Sequence, residues 1–324
     1  MTQNRHRIGW IGIGRMGLPM AARLVEGGYG ISIWNRTRSK AEPLAKKGAT
    51  IVDRPADLAD RDILFTMVSA GPDLEEVIFG ETGIVDGRSG PLPRIIVDCS
   101  SIGVEDSQTI RAHIEALGSD FISAPVSGNG KVAKVGKLSM VVSGPESCFE
   151  VVKPYLDAIA GHGVAYVGER ELARICKIAH NVMLGVVTEN LIEIMLLAEK
   201  TGVPRHAFLE FINNSVMGSM FTRYKSHALV NLDWTTTFTP TLLRKDLDLG
   251  LSQGREQGVP MPVTAAAREA LQAHFGAARL KPDPKAYIEQ DFAALLETAA
   301  IGAGVTLKSE NKHVPTGLEI PEEE

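Results

Sequence analysis

The sequence predicts an α/β domain with a parallel sheet at the N-terminus and an all-α domain at the C-terminus, joined by one long helix. Three observations predict this architecture. Short apolar runs alternate with amphipathic segments from Ile8 to about Gly168, which is typical of a parallel sheet covered by helices. The segment 171–201 contains no proline, and its apolar residues recur at helical spacing. Beyond this segment, to about Ala300, the patterns are helical.

Apolar runs of strand length recur through the first domain, which we assign to residues 1–168. Turn signals such as Glu26-Gly27-Gly28 and Lys46-Lys47-Gly48 separate them by intervals of helical length. Parallel strands need such connections, because the chain must cross over before it can add the next strand. The predicted strands are 8–13, 31–34, 63–68, 95–98, 121–123, 139–142 and 165–167.

The second domain, assigned to residues 169–305, is predicted to be helical throughout. Its first helix, 171–201, would be about 45 Å long and ends at Gly202-Val203-Pro204, a signal for a helix C-terminus. Residues 306–324 are polar and finish in three glutamates, so we expect a flexible tail. Further helices are predicted at 205–213, 220–231, 241–257, 263–276 and 286–301.

The composition is that of an ordinary globular protein. Among 324 residues, 44% are hydrophobic and 23% are charged, which excludes disordered, collagen-like and coiled-coil chains. The formal net charge of −5 offers no general attraction to nucleic acid or anionic lipid. We therefore expect neither nucleic acid nor membrane as a partner.

Cysteine usage and the N-terminus bear on the compartment. Cys99, Cys148 and Cys176 are far apart and odd in number, so they predict neither a disulfide framework nor a metal cluster. The N-terminus has no signal-peptide core, and the sequence analysis finds no apolar run of membrane length. These observations predict a cytoplasmic protein that needs no metal.

A glycine-rich turn, Gly12-Ile13-Gly14-Arg15-Met16-Gly17, follows the first predicted strand and opens a helix. This context makes the G-x-G-x-x-G match a predicted dinucleotide site of the Rossmann type. Gly12 allows the tight turn, Gly14 lets a pyrophosphate approach the backbone, and Gly17 lets helix and strand pack closely. The alternative is a glycine-rich turn without a ligand. The residues expected to contact the cofactor are Gly12, Ile13, Gly14, Arg15 and Met16.

The second predicted strand ends just before Asn35. An enzyme that prefers NAD usually has an acidic residue here, which binds the adenosine ribose and would repel a 2′-phosphate. Arg36, Thr37, Arg38 and Lys40 instead supply hydroxyl and cationic donors. The pattern predicts that Asn35, Arg36 and Thr37 bind the cofactor and that NADP(H) is preferred to NAD(H). A solvated basic turn is the alternative, and a carboxylate elsewhere could also hold the ribose.

Four sequence blocks are weak individually and specific together. They are Gly9-Trp10-Ile11-Gly12-Ile13-Gly14-Arg15-Met16-Gly17 with Pro19-Met20-Ala21, Ser123-Ala124-Pro125-Val126-Ser127-Gly128, Lys177-Ile178-Ala179-His180-Asn181, and Leu243-Arg244-Lys245-Asp246-Leu247. With these blocks the chain resembles, over nearly its whole length, the β-hydroxyacid dehydrogenases, also called the 3-hydroxyisobutyrate dehydrogenase family. The resemblance implies an NAD(P)-dependent dehydrogenase or reductase that acts on CH–OH groups.

Lys177 and Asn181 are four residues apart on the predicted long helix, so both project from one face, with His180 beside them. Taken alone, this helical pattern fits a solvent-exposed face with one lysine as well as it fits a functional site. The resemblance implies that Lys177 is the general acid/base, which protonates the carbonyl oxygen in reduction or removes the hydroxyl proton in oxidation. A lysine can do this if burial or a nearby cation lowers its pKa. The resemblance also implies that Asn181 holds the substrate or orients the lysine.

The resemblance places further residues at the site. Ser127, Gly128 and Asn129 occupy the substrate-binding turn, where backbone amides and a hydroxyl can hold a carboxylate. An ordinary surface turn is the alternative. A role in the core explains Met67 and Val68 about as well as a cofactor contact does. For Lys245 the alternative is a solvated charge pair on a helix. The residues expected near the nicotinamide end of the cofactor are Met67, Val68, Ser101 and Lys245.

The chain departs from the family pattern in three places. Asn129 replaces a glycine, so its side chain could narrow the pocket or contact the substrate. Glu171 and Ala173 replace glycines before the lysine, so the helix could begin earlier or meet the cofactor differently. His180-Asn181 replaces a pair of asparagines and is similar to 6-phosphogluconate dehydrogenases. His180 could therefore bind a substrate hydroxyl, or it could be a packing residue.

Together these observations predict an NADP-preferring oxidoreductase that interconverts a small 3-hydroxy acid and its semialdehyde or ketone. The alternatives are an oxidative decarboxylase related to 6-phosphogluconate dehydrogenase and a non-catalytic NADP-binding scaffold. An imine reductase is less favoured, because those enzymes commonly lack the lysine. We expect a homodimer or homotetramer, since a long helix leaving a small sheet domain presents apolar surface.

Overall fold

The computed structural model describes residues 6–85 and 92–319. The chain divides into two compact units, Met1–Lys177 and Ile178–Glu324. This division falls within the long helix, whereas the sequence predicts a boundary after residue 168. The strands, all in the first unit, are β1 (Ile8–Ile11), β2 (Ile31–Trp34), β3 (Thr50–Ile51), β4 (Ile63–Thr66), β5 (Ile95–Asp98), β6 (Asp120–Ser123), β7 (Val126–Ser127), β8 (Ser139–Val142) and β9 (Gly163–Tyr166).

The α-helices cover the sheets of the first unit and build the second. In the first unit they are α1 (Gly17–Glu26), α2 (Glu42–Ala45), α3 (Gly71–Phe79), α4 (Val104–Ala116), α5 (Gly130–Lys134) and α6 (Glu146–Ile159). Helix α7 (Leu172–Lys200) crosses the division between the units. The second unit continues with α8 (Arg205–Asn214), α9 (Met220–Asn231), α10 (Pro240–Glu256), α11 (Pro262–Ala278), α12 (Pro284–Ile288) and α13 (Leu295–Ala303).

The main sheet has six parallel strands in the order β3-β2-β1-β4-β5-β6, which confirms the predicted Rossmann-type domain. Strands β1 and β4 are buried along their whole length, and Trp10 stacks on Phe65 with ring centroids 5.5 Å apart. Helices on both faces explain why these strands read as continuous apolar runs. The strand order reverses between β1 and β4, and ligands of such sheets bind at the carboxyl ends of the strands at this point.

A second, three-stranded sheet was not expected from the sequence. Strand β7 pairs antiparallel with β8, β8 pairs parallel with β9, and a bridge between Ser123 and Ser143 lies beside them. The sequence analysis predicted β8 and part of β9 but assigned them to one parallel sheet. Strands β3 and β7 were missed because two residues carry no periodicity.

Helix α7 has 29 residues and ends within one residue of its predicted bounds. A Cβ on Gly185 would lie 2.8 Å from Leu247 Cδ2, and a Cβ on Gly250 would lie 2.1 Å from Val182 Cγ2. These two glycines therefore let α7 and α10 approach closely within the second unit.

Among the described residues, α7 is the one helix long and apolar enough to cross a membrane. This corrects the expectation that the chain has no apolar run of membrane length. Half of its most apolar stretch is buried within the folded chain. Core helices of globular proteins share this composition, so length and apolarity alone do not indicate a membrane span.

The predicted helix 286–301 is broken into α12, a 3₁₀ turn at Phe292–Ala294, and α13. Asp291 stands at the break. Its carboxylate accepts hydrogen bonds from the amides of Ala293 and Thr237 and lies 2.6 Å from Lys225 Nζ. Asp291 has an extended backbone (φ −65°, ψ 143°), and its side chain caps the 3₁₀ turn that follows, so the helix predicted from periodicity is interrupted here.

Residues 306–319 pack against the second unit, whereas the sequence predicts a flexible tail over 306–324; residues 320–324 lie outside the described part. Glu310 accepts hydrogen bonds from the backbone amides of Arg205 and His206, the first two residues of α8. The preceding Pro204 offers α8 no side-chain cap. The tail therefore supplies the cap for this helix from about a hundred residues away.

Candidate active site

The three glycines of the turn after β1 differ in their backbone conformation and in the space around their Cα atoms. Gly12 has a φ of +96°, and a Cβ there would lie 2.1 Å from the backbone oxygen of Met67. A Cβ on Gly17 would lie 1.9 Å from the Gly12 oxygen, whereas a Cβ on Gly14 would have no atom within 4 Å. The turn is therefore tight at both ends and open in the middle, which fits a phosphate group approaching the backbone near Gly14 at the start of α1.

Asn35 positions this turn. Its Oδ1 accepts a hydrogen bond of 2.8 Å from the Ile13 amide, and its Nδ2 donates one of 2.8 Å to the Thr37 oxygen. The Ile13 side chain is buried in the core. Asn35 and Ile13, both predicted to contact the cofactor, thus hold the glycine-rich turn to the end of β2. The exposed residue of the turn beside the open position is Arg15.

The basic segment after β2 is exposed. Arg36 lies 3.7 Å from Asp73 at the start of α3, and Arg38 lies 2.7 Å from Asp53. Ion pairs at such exposure contribute little to folding and leave the side chains able to rearrange for a ligand. Arg36 is the more exposed arginine of the two and directly follows Asn35.

The ends of β4 and β5 carry the residues predicted near the nicotinamide. Met67 and Val68 directly follow β4 and are half-buried, and Ser101 is half-buried three residues after β5 ends. The Val68 amide donates a 2.9 Å hydrogen bond to Ser100 Oγ. The structure therefore brings Met67, Val68 and Ser101 to one edge of the sheet, beside Gly12.

The segment Ser127–Gly130 lies next to the glycine-rich turn, because a Cβ on Gly130 would be 3.0 Å from the Arg15 oxygen. Gly128 has a φ of +125°, a conformation that glycine adopts readily. The Oδ1 of Asn129 caps α5 by accepting from the amides of Lys131 and Val132. Asn129 is buried, and its Nδ2 has no hydrogen-bond partner among the described residues.

Lys177 is half-buried, and Asn181 is buried one helical turn further along α7. Within the second unit, Asn181 Nδ2 donates a 2.6 Å hydrogen bond to Asp246 Oδ2 on α10. Its Oδ1 must then accept the 2.9 Å hydrogen bond from His180 Nδ1. Lys245 Nζ lies 3.4 Å from Asp246 Oδ1.

Asp246 is a further candidate site residue, which the sequence analysis did not single out. It is buried, and its two carboxylate oxygens contact the predicted residues Asn181 and Lys245. The signal was present in the Lys-Asp pair of the fourth sequence block, but only the lysine was interpreted. The structure also joins His180, which is exposed, to this group through its hydrogen bond with Asn181.

The residues that replace family glycines before Lys177 are built into the fold. Glu171 Oε1 lies 2.6 Å from Arg111 Nε, and both side chains are buried. Arg111 also donates to the backbone oxygen of Arg170. Glu171 therefore attaches the start of α7 to α4, and the helix begins at Leu172 as predicted to within a residue.

The His, Cys, Asp and Glu side chains of residues 6–85 and 92–319 bear on metal binding, and Cys99 has a distinctive environment near the end of β5. No group of three or more His, Cys, Asp or Glu there could hold a metal ion. Cys99 lies between β5 and Ser100, and burial, reinforced by the charge of Asp98, raises the pKa of its thiol far above the ordinary value. The thiol therefore stays protonated and unreactive at neutral pH.

Two family models match consecutive parts of the chain. Residues 7–168 match the NAD-binding domain of 6-phosphogluconate dehydrogenase, and residues 172–290 match the NAD-binding domain of NADP-dependent 3-hydroxyisobutyrate dehydrogenase. Together with the fold and the glycine-rich turn, these matches define the chain as an NAD(P)-dependent oxidoreductase. It belongs to the 3-hydroxyisobutyrate dehydrogenase family.

Named relatives agree with this placement. The chain is 30% identical to 2-hydroxy-3-oxopropionate reductase of Escherichia coli over 81% of its own length and 89% of that protein. It is 29% identical to glyoxylate/succinic semialdehyde reductase 2 of Arabidopsis thaliana over 90% of its length and 78% of that protein.

A solved structure of 3-hydroxyisobutyrate dehydrogenase from Salmonella typhimurium shares the fold, with a TM-score of 0.77, 22% identity, and coverage of 90% and 99% of the two chains. These relatives support an NAD(P)-dependent hydroxyacid dehydrogenase or reductase.

Proposed function

We propose that this protein prefers NADP(H) and interconverts a small 3-hydroxy acid and its semialdehyde or ketone. The observation that carries the proposal is the pairing of Lys177 and Asn181 on adjacent turns of α7, with Asn181 fixed by Asp246. The named relatives support a small acid with an aldehyde group as the substrate, since they are reductases of glyoxylate, succinic semialdehyde and 2-hydroxy-3-oxopropionate. Of these three substrates, 2-hydroxy-3-oxopropionate is the one whose reduction gives a 3-hydroxy acid.

The bound nicotinamide would supply or accept the hydride at the carbon that carries the oxygen. Lys177 Nζ would donate a proton to the carbonyl oxygen as the alcohol forms, and would take it back in the reverse direction. Asn181 would orient the substrate oxygen relative to Lys177. The turn at Ser127 and Gly128 would hold the substrate carboxylate through a hydroxyl and backbone amides.

The proposed preference for NADP(H) rests on the segment after β2. Asn35 is neutral and already bonded to Ile13 and Thr37, so it would not repel a 2′-phosphate. Arg36 is exposed beside it and could form a charge-assisted hydrogen bond to that phosphate. Asp73 lies close to Arg36 and is the carboxylate that would oppose this preference if Arg36 remained paired with it.

A homodimer or homotetramer and a cytoplasmic location complete the proposal. Helix α7 exposes Met183 and Leu197, and a second copy of the chain could cover them. Sedimentation analysis at micromolar concentration would test the assembly, and a monomer would contradict it.

The activity is tested by measuring oxidation of NADPH and NADH with glyoxylate, succinic semialdehyde, tartronate semialdehyde and methylmalonate semialdehyde. We expect turnover with at least one substrate and a higher kcat/KM with NADPH. The Lys177→Ala variant should lose about 10²- to 10⁴-fold in kcat while still binding NADPH. Turnover unchanged by Lys177→Ala would overturn the assignment of the lysine.

Cofactor preference has its own control. Arg36→Ala should weaken NADPH binding by about tenfold or more and leave NADH binding nearly unchanged, because only NADPH carries the 2′-phosphate. Equal losses for the two cofactors would contradict the proposed role of Arg36.

A further inference from the structure

Arg174 lies on α7 three residues before Lys177, and its side chain is 1% exposed. Its NH2 nitrogen lies 2.5 Å from Asp98 Oδ2, its NH1 nitrogen donates a 2.5 Å hydrogen bond to the Ser100 oxygen, and its Nε lies 3.2 Å from Ser107 Oγ. All three guanidinium nitrogens of Arg174 thus make hydrogen bonds, and their partners are Asp98 at the end of β5 and two serines further along the chain.

Asp98 continues the connection. Its second oxygen, Oδ1, accepts hydrogen bonds from Thr66 Oγ1 at 2.7 Å and from Ser100 Oγ at 2.6 Å. Ser100 Oγ in turn accepts the hydrogen bond from the Val68 amide at 2.9 Å. Because Asp98, Thr66 and Ser100 are fully buried, water cannot substitute for any of these bonds.

One buried network therefore joins three segments of the first unit. It runs from the first turns of α7, through Asp98 and Ser100 after β5, to Val68 after β4. These segments carry Lys177, Ser101 and Met67–Val68, which are the acid/base lysine and the nicotinamide-side residues of the proposed function. Buried ion pairs contribute little net stability, so their main effect is to select one geometry.

We propose that Arg174 and Asp98 are a positioning pair, which fixes Lys177 relative to the loops that receive the nicotinamide. The inference rests on the proposed function. A matched control lies in the same part of the helix: Arg111 and Glu171 are also a buried ion pair at the start of α7. The other hydrogen bonds of Arg111 reach Phe121, Ser123 and Arg170, and within the described part of the chain none reaches Met67, Val68 or residues 99–101.

The test compares Arg174→Lys with Arg111→Lys, and adds Ser100→Ala as a milder variant. Arg174→Lys keeps the positive charge but replaces the forked N–H donors of the guanidinium group with a single ammonium group. We expect it to lower kcat by about 10- to 100-fold and to weaken NADPH binding several-fold. Arg111→Lys should lower the melting temperature to a similar extent and leave both quantities within about twofold. Equal losses of kcat and NADPH affinity in the two variants would reduce Arg174 to a structural role and overturn the proposal.

A second readout does not depend on turnover. Ser100→Ala leaves the ion pair in place but removes the acceptor of the Val68 amide. Hydrogen exchange of the peptide containing Val68 should accelerate at least tenfold in this variant and in Arg174→Lys, but not in Arg111→Lys or Lys177→Ala. Unchanged exchange in the first two variants would overturn the network. If the wild-type protein reduced none of the tested substrates, the proposed function would fail, while exchange and NADPH affinity would still decide on the network.

Discussion

The two units each contain a fully buried cation–carboxylate pair, and the two pairs serve different segments. Arg174 and Asp98 are 2.5 Å apart in the first unit, and Lys225 and Asp291 are 2.6 Å apart in the second. Arg174 and Asp98 join the helix of Lys177 to the ends of β4 and β5. Lys225 and Asp291 join α9 to the turn before α10 and to the break before α13.

The surroundings of Lys225 and Asp291 are architectural. Lys225 Nζ lies 4.2 Å from the ring centre of Phe292, and Asp291 also accepts hydrogen bonds from Thr237. Burial alone would raise the pKa of Asp291, but Lys225 and Thr237 hold it below the ordinary value. Both buried ion pairs therefore connect segments that are distant in the sequence. Whether such a pair affects a functional site depends on which residues the connected segments carry.

The largest effect should follow from Lys225→Met, which leaves Asp291 buried without its cation. We expect a loss of about 3–5 kcal/mol in the free energy of unfolding, because an uncompensated buried carboxylate is costly. Urea denaturation measures the loss. At a temperature where the variant is folded, its NADPH affinity should match the wild type, and a specific loss of affinity would break the distinction between the two pairs.

His274 extends the comparison to a buried ionisable group whose burial outweighs the attraction of Glu297 for its charged form. Its Nδ1 lies 3.0 Å from Thr298 Oγ1, and its ring stacks on Tyr287. Burial, as the largest cause, lowers the pKa of His274 to about 4. The unfolded chain therefore binds more protons between about pH 6.5 and pH 4, and stability should fall as pH falls through this window.

At pH 4 this proton linkage amounts to about 3 kcal/mol relative to neutral pH. Urea denaturation of wild type and His274→Phe at pH 7.5 and pH 4.5 tests it. The variant lacks the titrating group, so its stability should fall less between the two pH values. An identical fall in both proteins would show that His274 does not titrate in this window.

In the first unit, Gly12→Ala and Gly14→Ala separate folding from binding. Gly12→Ala introduces strain at a positive φ and a collision with Met67, so it should cost about 2 kcal/mol in unfolding free energy and abolish tight NADPH binding. Gly14→Ala meets open space and should leave the melting temperature nearly unchanged while weakening NADPH binding. Unaltered NADPH affinity in Gly14→Ala would contradict the phosphate position.

The smallest effect should come from Glu310→Ala, which removes the cap that residues 306–319 provide for α8. We expect a loss of about 1 kcal/mol in unfolding free energy, the usual value of a helix cap. Limited proteolysis should cut the C-terminal segment faster in the variant, with kcat unchanged. A cleavage rate equal to that of the wild type would show that other contacts hold the segment.

Much of this protein followed from the sequence alone. The strands of the main sheet other than β3, the tight turn at Gly12 and α9 were predicted from apolar runs, turn residues and helical periodicity, which act between residues close along the chain. The sequence blocks also brought out Lys177, Asn181 and the turn at Ser127.

Only the tertiary structure decided the remaining features. The tertiary structure shows that Asn35, predicted to bind the cofactor, is bonded to Ile13 and Thr37 and so attaches the glycine-rich turn to the end of β2. Asp246 and Arg174 have hydrogen-bond partners 65 and 76 residues away, and Asp291 is bonded to Thr237 and Lys225, 54 and 66 residues away. The hydrophobic periodicity of the sequence does not predict such distant hydrogen bonds, because each of them forms only when folding brings two segments together and removes water from between them.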